Sequence, residues 1–317
     1  MRTKAILFLL SLVPALVTAQ TYPDKPIHFI VAFPPGSGTD TVARLCLEEI
    51  RKATGAVIVV DNRPGALGQI GTDAVANAPP DGYTVMISSS ATHSSGPQLA
   101  KKLPYDAIKD FTHLALFAKF DVALLMSGAQ PIRSVKELVA EARRRPDELT
   151  FGYGSATAQV IGSTFNRSAG LQLRGVPYKG QPAALNDLLG GQINFVMVDL
   201  AAGSPHLKSG KLVALAIAAP KRSSILPNVP TFTELGVKDV ELQGWVGVSG
   251  PAGMRREVVA WWNTQVNQAL GRKELIDRLN GIAFEAEALT LELFNAFVRA
   301  QYDVWGSRIR AAGIEPE

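Results

Sequence analysis

Phe33-Pro34-Pro35-Gly36-Ser37-Gly38-Thr39-Asp40 is the stretch whose reading decides the fold. The apolar run Ile27 to Ala32 before it reads as a buried strand. After it, Val42, Leu45, Cys46 and Ile50 form an apolar stripe at helical spacing. The order is therefore strand, glycine-rich turn, helix. Two prolines stiffen the entry, and two glycines let the backbone approach a bound group closely. The first helical turn offers free N–H groups and the positive end of a dipole, which suits an anion. The same glycines would also serve a βα turn with no ligand, so the turn alone leaves both readings open.

Two nucleotide motifs are excluded at this turn. A phosphate-binding P-loop ends in Gly-Lys-Ser/Thr, whereas Gly38 precedes Thr39 and Asp40. A dinucleotide fingerprint needs a third glycine where Thr41 stands. Asp40 would also repel a phosphate, so a carboxylate fits better.

Composition narrows the class. The chain has 317 residues, 47% hydrophobic and 19% charged, which predicts well-cored globular structure and about two domains. Met1 to Ala19 reads as a secretory signal, with Arg2 and Lys4 ahead of an apolar run and Val17-Thr18-Ala19 before a cut at Gln20. Export is expected, without a lipid anchor, since no cysteine follows the cut. The net charge of +4 falls to +2 once Arg2 and Lys4 are removed, too little for a nucleic-acid footprint. Cys46, the one cysteine, lies on the apolar helix face and reads as a buried inert thiol.

Downstream the pattern alternates. Val57 to Val60 and Tyr83 to Ile87 read as strands, with a helix from Gly68 to Ala78 between them. Ser88 to Gly96 reads as a loop crowded with hydroxyls. Strands follow at Phe111 to Phe117 and Val122 to Ser127. The βαβαβ order implies a parallel sheet flanked by helices. A second cycle starts at Ser134, which caps a helix from Val135 to Arg144 with Glu137 in the capping-box position. Strands are expected at Leu149 to Tyr153, Val176 to Gly180, Ile193 to Val198 and Leu212 to Ala219, with helices after Ser155 and from Pro182 to Leu189. A later strand, Leu242 to Gly250, precedes a helix from Pro251 to Leu270, and Thr290 caps the last long helix. The strands end in loops rich in Gly, Ser and Thr, where ligands of open α/β sheets sit.

Catalytic and metal motifs are missing. His28, His93, His113 and His206 lack zinc-ligand spacing, and Gly152-Tyr153-Gly154-Ser155-Ala156-Thr157 lacks the closing glycine of a nucleophile elbow. No metal, cofactor or catalytic residue is expected. His93 could serve a distant serine as a base, or simply donate a hydrogen bond from a loop. Asp40 and Asp199 each follow a strand; either could cap a helix or face a polar ligand group.

A specific resemblance covers the mature chain. Tyr22-Pro23-Asp24-Lys25-Pro26-Ile27, Phe33-Pro34-Pro35-Gly36, Asp61-Asn62-Arg63-Pro64-Gly65, Pro80-Asp81-Gly82-Tyr83-Thr84 and Val176-Pro177-Tyr178-Lys179-Gly180 occur in order. So do Gly190-Gly191-Gln192, Val229-Pro230-Thr231, Trp245 and Pro251-Ala252-Gly253. Together they resemble the Bug family, periplasmic solute receptors of tripartite tricarboxylate transporters. The resemblance implies the type 2 periplasmic-binding-protein fold: an α/β molecule of two lobes, each a mixed, mostly parallel sheet flanked by helices. Residues 20–123 with 247–317 would form one lobe and 124–246 the other, joined by crossing strands near Val122 to Ser127 and Trp245 to Gly250.

The resemblance further implies a monomeric receptor that captures a small carboxylate, a dicarboxylate or an aromatic acid such as terephthalate, and delivers it to membrane permease subunits. The binding residues would be Phe33, Gly36, Ser37, Gly38, Thr39 and Asp40 on the first loop. Ser88, Ser89, Ser90, Thr92 and His93 would serve on the second, and Ser155, Thr157, Gln159 and Asp199 on the other lobe. Three departures fall near these loops: Gly36-Ser37 replaces a frequent double glycine, Gly96 replaces an asparagine before Pro97, and a histidine common near Val160 is absent. The ligand therefore cannot be copied from familiar members. Two rivals remain: a secreted serine hydrolase using His93, and a receptor that signals to a sensor kinase. Phe33–Thr41, Ser88–Ser95 and Ser155–Val160 contain no Arg or Lys, so backbone N–H groups and hydroxyls are expected to hold the anion.

Overall fold

The first strand, β1 (Ile27–Val31), is buried at four of its five residues because it lies between two parallel neighbours, β2 (Ile58–Asn62) and β3 (Thr84–Ser89). The computed structural model describes residues 22–316, so the leader expected over Met1 to Ala19 lies outside the described residues. Helix α1 (Gly38–Thr54) follows β1 and buries Val42, Ala43, Cys46, Leu47 and Ile50 against the sheet. It ends at Gly55, whose left-handed backbone (φ +70°) returns an N–H to the Arg51 carbonyl. α2 (Gln69–Ala76) links β2 to β3.

The mostly parallel expectation needs one refinement. β10 (Gly244–Pro251) inserts antiparallel between β3 and β4 (Phe111–Phe120), and β11 (Phe284–Ala286) runs antiparallel to β4 at the edge. The six-stranded order is β11-β4-β10-β3-β1-β2. The second sheet has five strands in the order β7-β6-β8-β5-β9. These are β5 (Val122–Ser127), β6 (Thr150–Tyr153), β7 (Arg174–Pro177), β8 (Phe195–Asp199) and β9 (Leu212–Ala218). β6 pairs parallel with β7 and β8, while β5 runs antiparallel to β8 and β9. The chain crosses between sheets at Asp121, between β4 and β5, and again between Ala218 and Gly244. Val122–Ser127 thus lies wholly in one sheet and Gly244–Pro251 wholly in the other.

Helices fill both faces: α4 (Val135–Arg144), α5 (Ala156–Ser168) and α6 (Gln181–Leu189) in the second cycle, then α8 (Arg256–Leu270) and α10 (Leu291–Ala311). The expected caps are in place, with Ser134 accepting from the Glu137 N–H and Thr290 from the Leu293 N–H. Three elements escaped the sequence reading. α7 (Leu200–Lys208) carries Gly203 and Pro205 inside it, and α9 (Lys273–Asn280) and β11 are short. The hydroxyl-rich stretch after β3 is no open loop. Ala91–Ser95 forms a π-helical turn that runs into the short helix α3 (Gly96–Leu99), and Ser88 to Ser95 is buried throughout.

The expected inert thiol is where the stripe put it. Cys46 is fully buried, and burial pushes its thiol far above the ordinary range. A thiol reagent such as dithionitrobenzoate should therefore leave the native protein unlabelled and react fully in guanidinium. Rapid labelling without denaturant would contradict the packing. Cys46→Ser should destabilise by about 1–3 kcal/mol, since it buries a hydroxyl among apolar side chains.

Candidate functional site

Strand ends from both sheets converge on one small cavity. On the six-stranded side, Ser37 caps α1: its hydroxyl accepts from the Asp40 N–H at 3.2 Å. On the other side Ser155 caps α5 in the same manner, accepting from the Ala158 N–H at 3.2 Å. Two helix N-termini thus open towards the space between the sheets. First-turn N–H groups have no partner within their own helix, so each end is suited to an anion.

Of the residues expected to bind, Phe33, Ser37, Thr39, Ser89, Ser155, Thr157 and Asp199 line this cavity. Ala91, Phe120 and Gln181 join them without having been singled out. Gln181 could have been found, because it opens α6 directly after Gly180 and so belongs to a third strand-to-helix turn. No sequence signal distinguishes Phe120 from any other strand aromatic. The lining contains no lysine or arginine. Arg63 is exposed and paired with Asp61, and Lys179 is exposed.

The remaining expected residues lie outside the lining. Asp40 clamps the first turn: its carboxylate accepts from the Gly36 N–H at 3.0 Å, Arg44 Nε at 3.0 Å and Asn62 Nδ2 at 2.9 Å. Asn62 also donates to the Phe33 carbonyl. Burial alone would raise the Asp40 carboxyl, but Arg44, Asn62 and the Gly36 N–H outweigh it and hold it below the usual range. Gly36 needs its missing side chain, with φ at +80°. Gly38 packs so closely on Asp199 that an added Cβ would come to 2.9 Å from Oδ2.

Ser88 accepts from the Ser249 hydroxyl, and the Thr92 hydroxyl meets His93 Nδ1 at 2.9 Å. His93 is fully buried behind the cavity against Phe111, His113 and Trp245. Gln159 faces a separate, more open recess of about 190 Å³ beside Leu67 and Leu99.

Contacts across the cleft are direct. Ser90 Oγ lies 2.9 Å from Thr157 Oγ1, and the Ser95 hydroxyl lies 3.4 Å from the same atom. The Pro34 ring packs where a Gly180 side chain would be. The enclosed cavity measures about 10 Å³, room for roughly one water. A larger groove of about 400 Å³ lies near the crossing segments, but Lys119, Lys221 and Arg222 on its rim are already paired with Glu287, Glu285 and Glu234. The small cavity remains the better candidate, because strand ends and helix N-termini of both sheets meet there.

The comparisons agree with this geometry. The sequence matches the family described as "Tripartite tricarboxylate transporter family receptor" over residues 42–314. The chain belongs to this family. It is 32% identical over 306 residues to Protein BugT of Bordetella pertussis, covering 96% of this chain and 94% of that one. Two solved structures are similar over their whole length. R. palustris Rpa4515 with adipate superposes with a TM-score of 0.90 at 31% identity, covering 93% of this chain and 100% of that one. MatC from Rhodopseudomonas palustris with bound malate gives 0.86 at 29%, covering 91% and 100%. This Bug-family chain therefore has the two-lobed α/β fold of periplasmic binding proteins.

The buried ionisable groups have opposite pH signs. Burial raises the Asp199 carboxyl to about 7, against opposing hydrogen bonds from Gln181 and its own N–H. Unfolded chains release that proton near 4, so Asp199 makes stability fall as pH rises from about 4 to 7. Burial, with His113 nearby, holds His93 well below its ordinary range; burial, with Arg299, lowers His113 to about 4. The unfolded histidines take up protons first on acidification, so these two make stability rise between about pH 4 and 6.5. Asp199→Asn should therefore steepen the rise of stability with pH over this window and stabilise the unliganded protein at pH 8. Urea unfolding at pH 4, 6 and 8 measures it; an unaltered pH slope would refute the assignment.

Proposed function

We propose that this protein is an extracytoplasmic receptor that closes on a small carboxylate and passes it to the permease of a tripartite tricarboxylate transporter. One observation carries the reading: two serine-capped helix N-termini, from different sheets, face one cavity that has no lysine or arginine in its walls. Fixed N–H groups and hydroxyls can solvate a carboxylate without a countercharge, each charge-assisted bond being worth about 1.5–3 kcal/mol. Family membership, and the adipate and malate of the two similar structures, support the same ligand class. The expected signal peptide fits a periplasmic location, and a monomer suffices for this work.

Each sheet with its helices acts as a lobe, and the passages at Asp121 and between Ala218 and Gly244 act as the hinge. A cavity of about 10 Å³ admits no dicarboxylate, so binding requires the lobes to part and then to close on the ligand less tightly than they do in this structure. The Ser90–Thr157 contact serves as a latch on the closed state. His93 supports binding rather than hydrolysis, since its ring lies behind Thr92 and outside the cavity wall.

A thermal-shift and calorimetric screen of mono-, di- and tricarboxylates tests the ligand class. A true ligand at about 100 times its dissociation constant should stabilise by about 2.7 kcal/mol. The absence of a shift with every carboxylate, or turnover of test esters that His93→Ala abolishes, would overturn the receptor reading. Small-angle scattering tests closure: the radius of gyration should shrink with ligand, and an identical profile at saturation would argue for a rigid site. Thr157→Val should weaken binding about fivefold, equivalent to about 1 kcal/mol for the lost hydroxyl contact.

A further inference from the structure

One acidic side chain lines the cavity and nothing there balances it. Asp199 is 2% exposed, and its Oδ1 is buried without a hydrogen-bond partner. It directly precedes α7, yet its side chain caps none of that helix's N–H groups. Its carboxyl also sits against the first residue of α1, since a Cβ on Gly38 would come to 2.9 Å from Oδ2. The N-terminus of α1 is the seat proposed for the ligand's carboxylate. Ligand and Asp199 therefore bring two carboxyl groups into one enclosed space.

The charges around Asp199 are engaged elsewhere or distant. On α1, Asp40 holds Arg44, while Glu48 and Glu49 pair with Lys52, Arg272 and Arg278. Arg51 donates to the Ile58 carbonyl. Asp121, just ahead of β5, accepts from Gln243. α6 contributes Asp187, bonded to Tyr178, and α5 contributes Arg167, bonded to the Ala312 carbonyl. His206 and Lys208 lie in the last turn of α7, away from its start. β5 and β9 carry no charged residue, and β6 carries only Tyr153 as a titratable group. No lysine or arginine reaches the lining. Two neighbouring carboxylates without a countercharge cannot both stay ionised, and one proton shared by the pair removes the conflict. It also turns one acceptor into an O–H donor, which supplies the hydrogen bond that Oδ1 lacks.

We propose that the receptor takes up its carboxylate together with one proton from solution, held between the ligand and Asp199, so that capture is regulated by pH. This deepens the carboxylate-receptor reading and rests on it. Burial has already raised the Asp199 carboxyl of the unliganded protein to about 7, and a second carboxylate beside it raises it further. The sign follows. Below about pH 7 the proton is in place before binding, and affinity does not depend on it. Above that, each ligand must bring a proton from a solution that holds fewer of them, so affinity falls as pH rises.

The test titrates adipate and malate, or the tightest acid of the screen where neither binds, into the full mature protein at pH 8. Calorimetry in phosphate and in Tris, whose ionisation enthalpies differ, counts the protons taken up. About one proton per ligand is expected, with a dissociation constant about tenfold higher at pH 8.5 than at pH 6.5. Asp199→Asn should bind with no proton uptake and no such pH dependence. The wild-type proton count needs no variant, so the proposal stays testable if Asp199→Asn fails to fold. Uptake below about half a proton overturns it, as does undiminished uptake in folded Asp199→Asn. Affinity that follows sodium concentration instead of pH would put a cation in the proton's place and overturn it equally. Each of these results leaves the carboxylate receptor standing, whereas failure of every acid to bind would remove both readings.

Discussion

An anion held in a cleft without lysine or arginine has to be stabilised by dipoles, and dipoles stabilise charge only when they are already fixed. The Asp40 clamp meets that requirement at the first turn. One carboxylate ties the Gly36 N–H, the α1 side chain Arg44 and the β2 side chain Asn62 into a single unit. Asn62 extends the unit to the Phe33 carbonyl. The N-terminus of α1 is thereby set before any ligand arrives, and little reorganisation is left for binding to drive. An aspartate that looks like a ligand contact thus acts through the turn it holds.

The same logic runs through the hydroxyl-rich stretch after β3. Most of its hydroxyls are engaged within the protein: Ser94 with Trp245 Nε1, Ser95 with the Ser90 carbonyl, Thr92 with His93, Ser88 with Ser249. Ser89 alone of the group lines the cavity, and Ser90 reaches across it to Thr157. The stretch forms a buried polar layer that seats the first lobe's floor. His93 within it, and His113 of β4 packed against it, are both held below the ordinary imidazole range by burial.

Much of the architecture was legible because it rests on local signals. The β1–turn–α1 unit, the caps at Ser134 and Thr290 and the Cys46 stripe each follow from a few neighbouring residues. What escaped depends on distant partners. Ser88 to Gly96 has the composition of a loop, yet its first two residues end β3 and Ala91 to Gly96 is helical, packed under α10 and against α5. Gly203 and Pro205 hide α7, although its position is set by packing on β9 and β8. Gln181 and Phe120 enter the site only when two sheets meet. The sheets were expected to be mixed and mostly parallel, because neighbouring βαβ units are parallel; which strands run antiparallel, β5 and β10 among them, depends on the return of the chain between sheets, which no short window contains.

In the closure proposed above, two absent side chains would set the depth. Pro34 comes to rest on Gly180, and Asp199 on Gly38, with hypothetical Cβ atoms only 2.6 Å and 2.9 Å from their neighbours. Backbone meets side chain at both points, so these glycines act as the stops of a clamp. A methyl group at position 180 would press on the Pro34 ring, outside the cavity wall, whereas one at position 38 would press directly on the Asp199 side chain of that wall. Position 180 is therefore an adjustable gauge: under the proposed closure, graded substitutions there would change the aperture while leaving the polar lining in place, sorting acids by length as a row of calipers sorts rods.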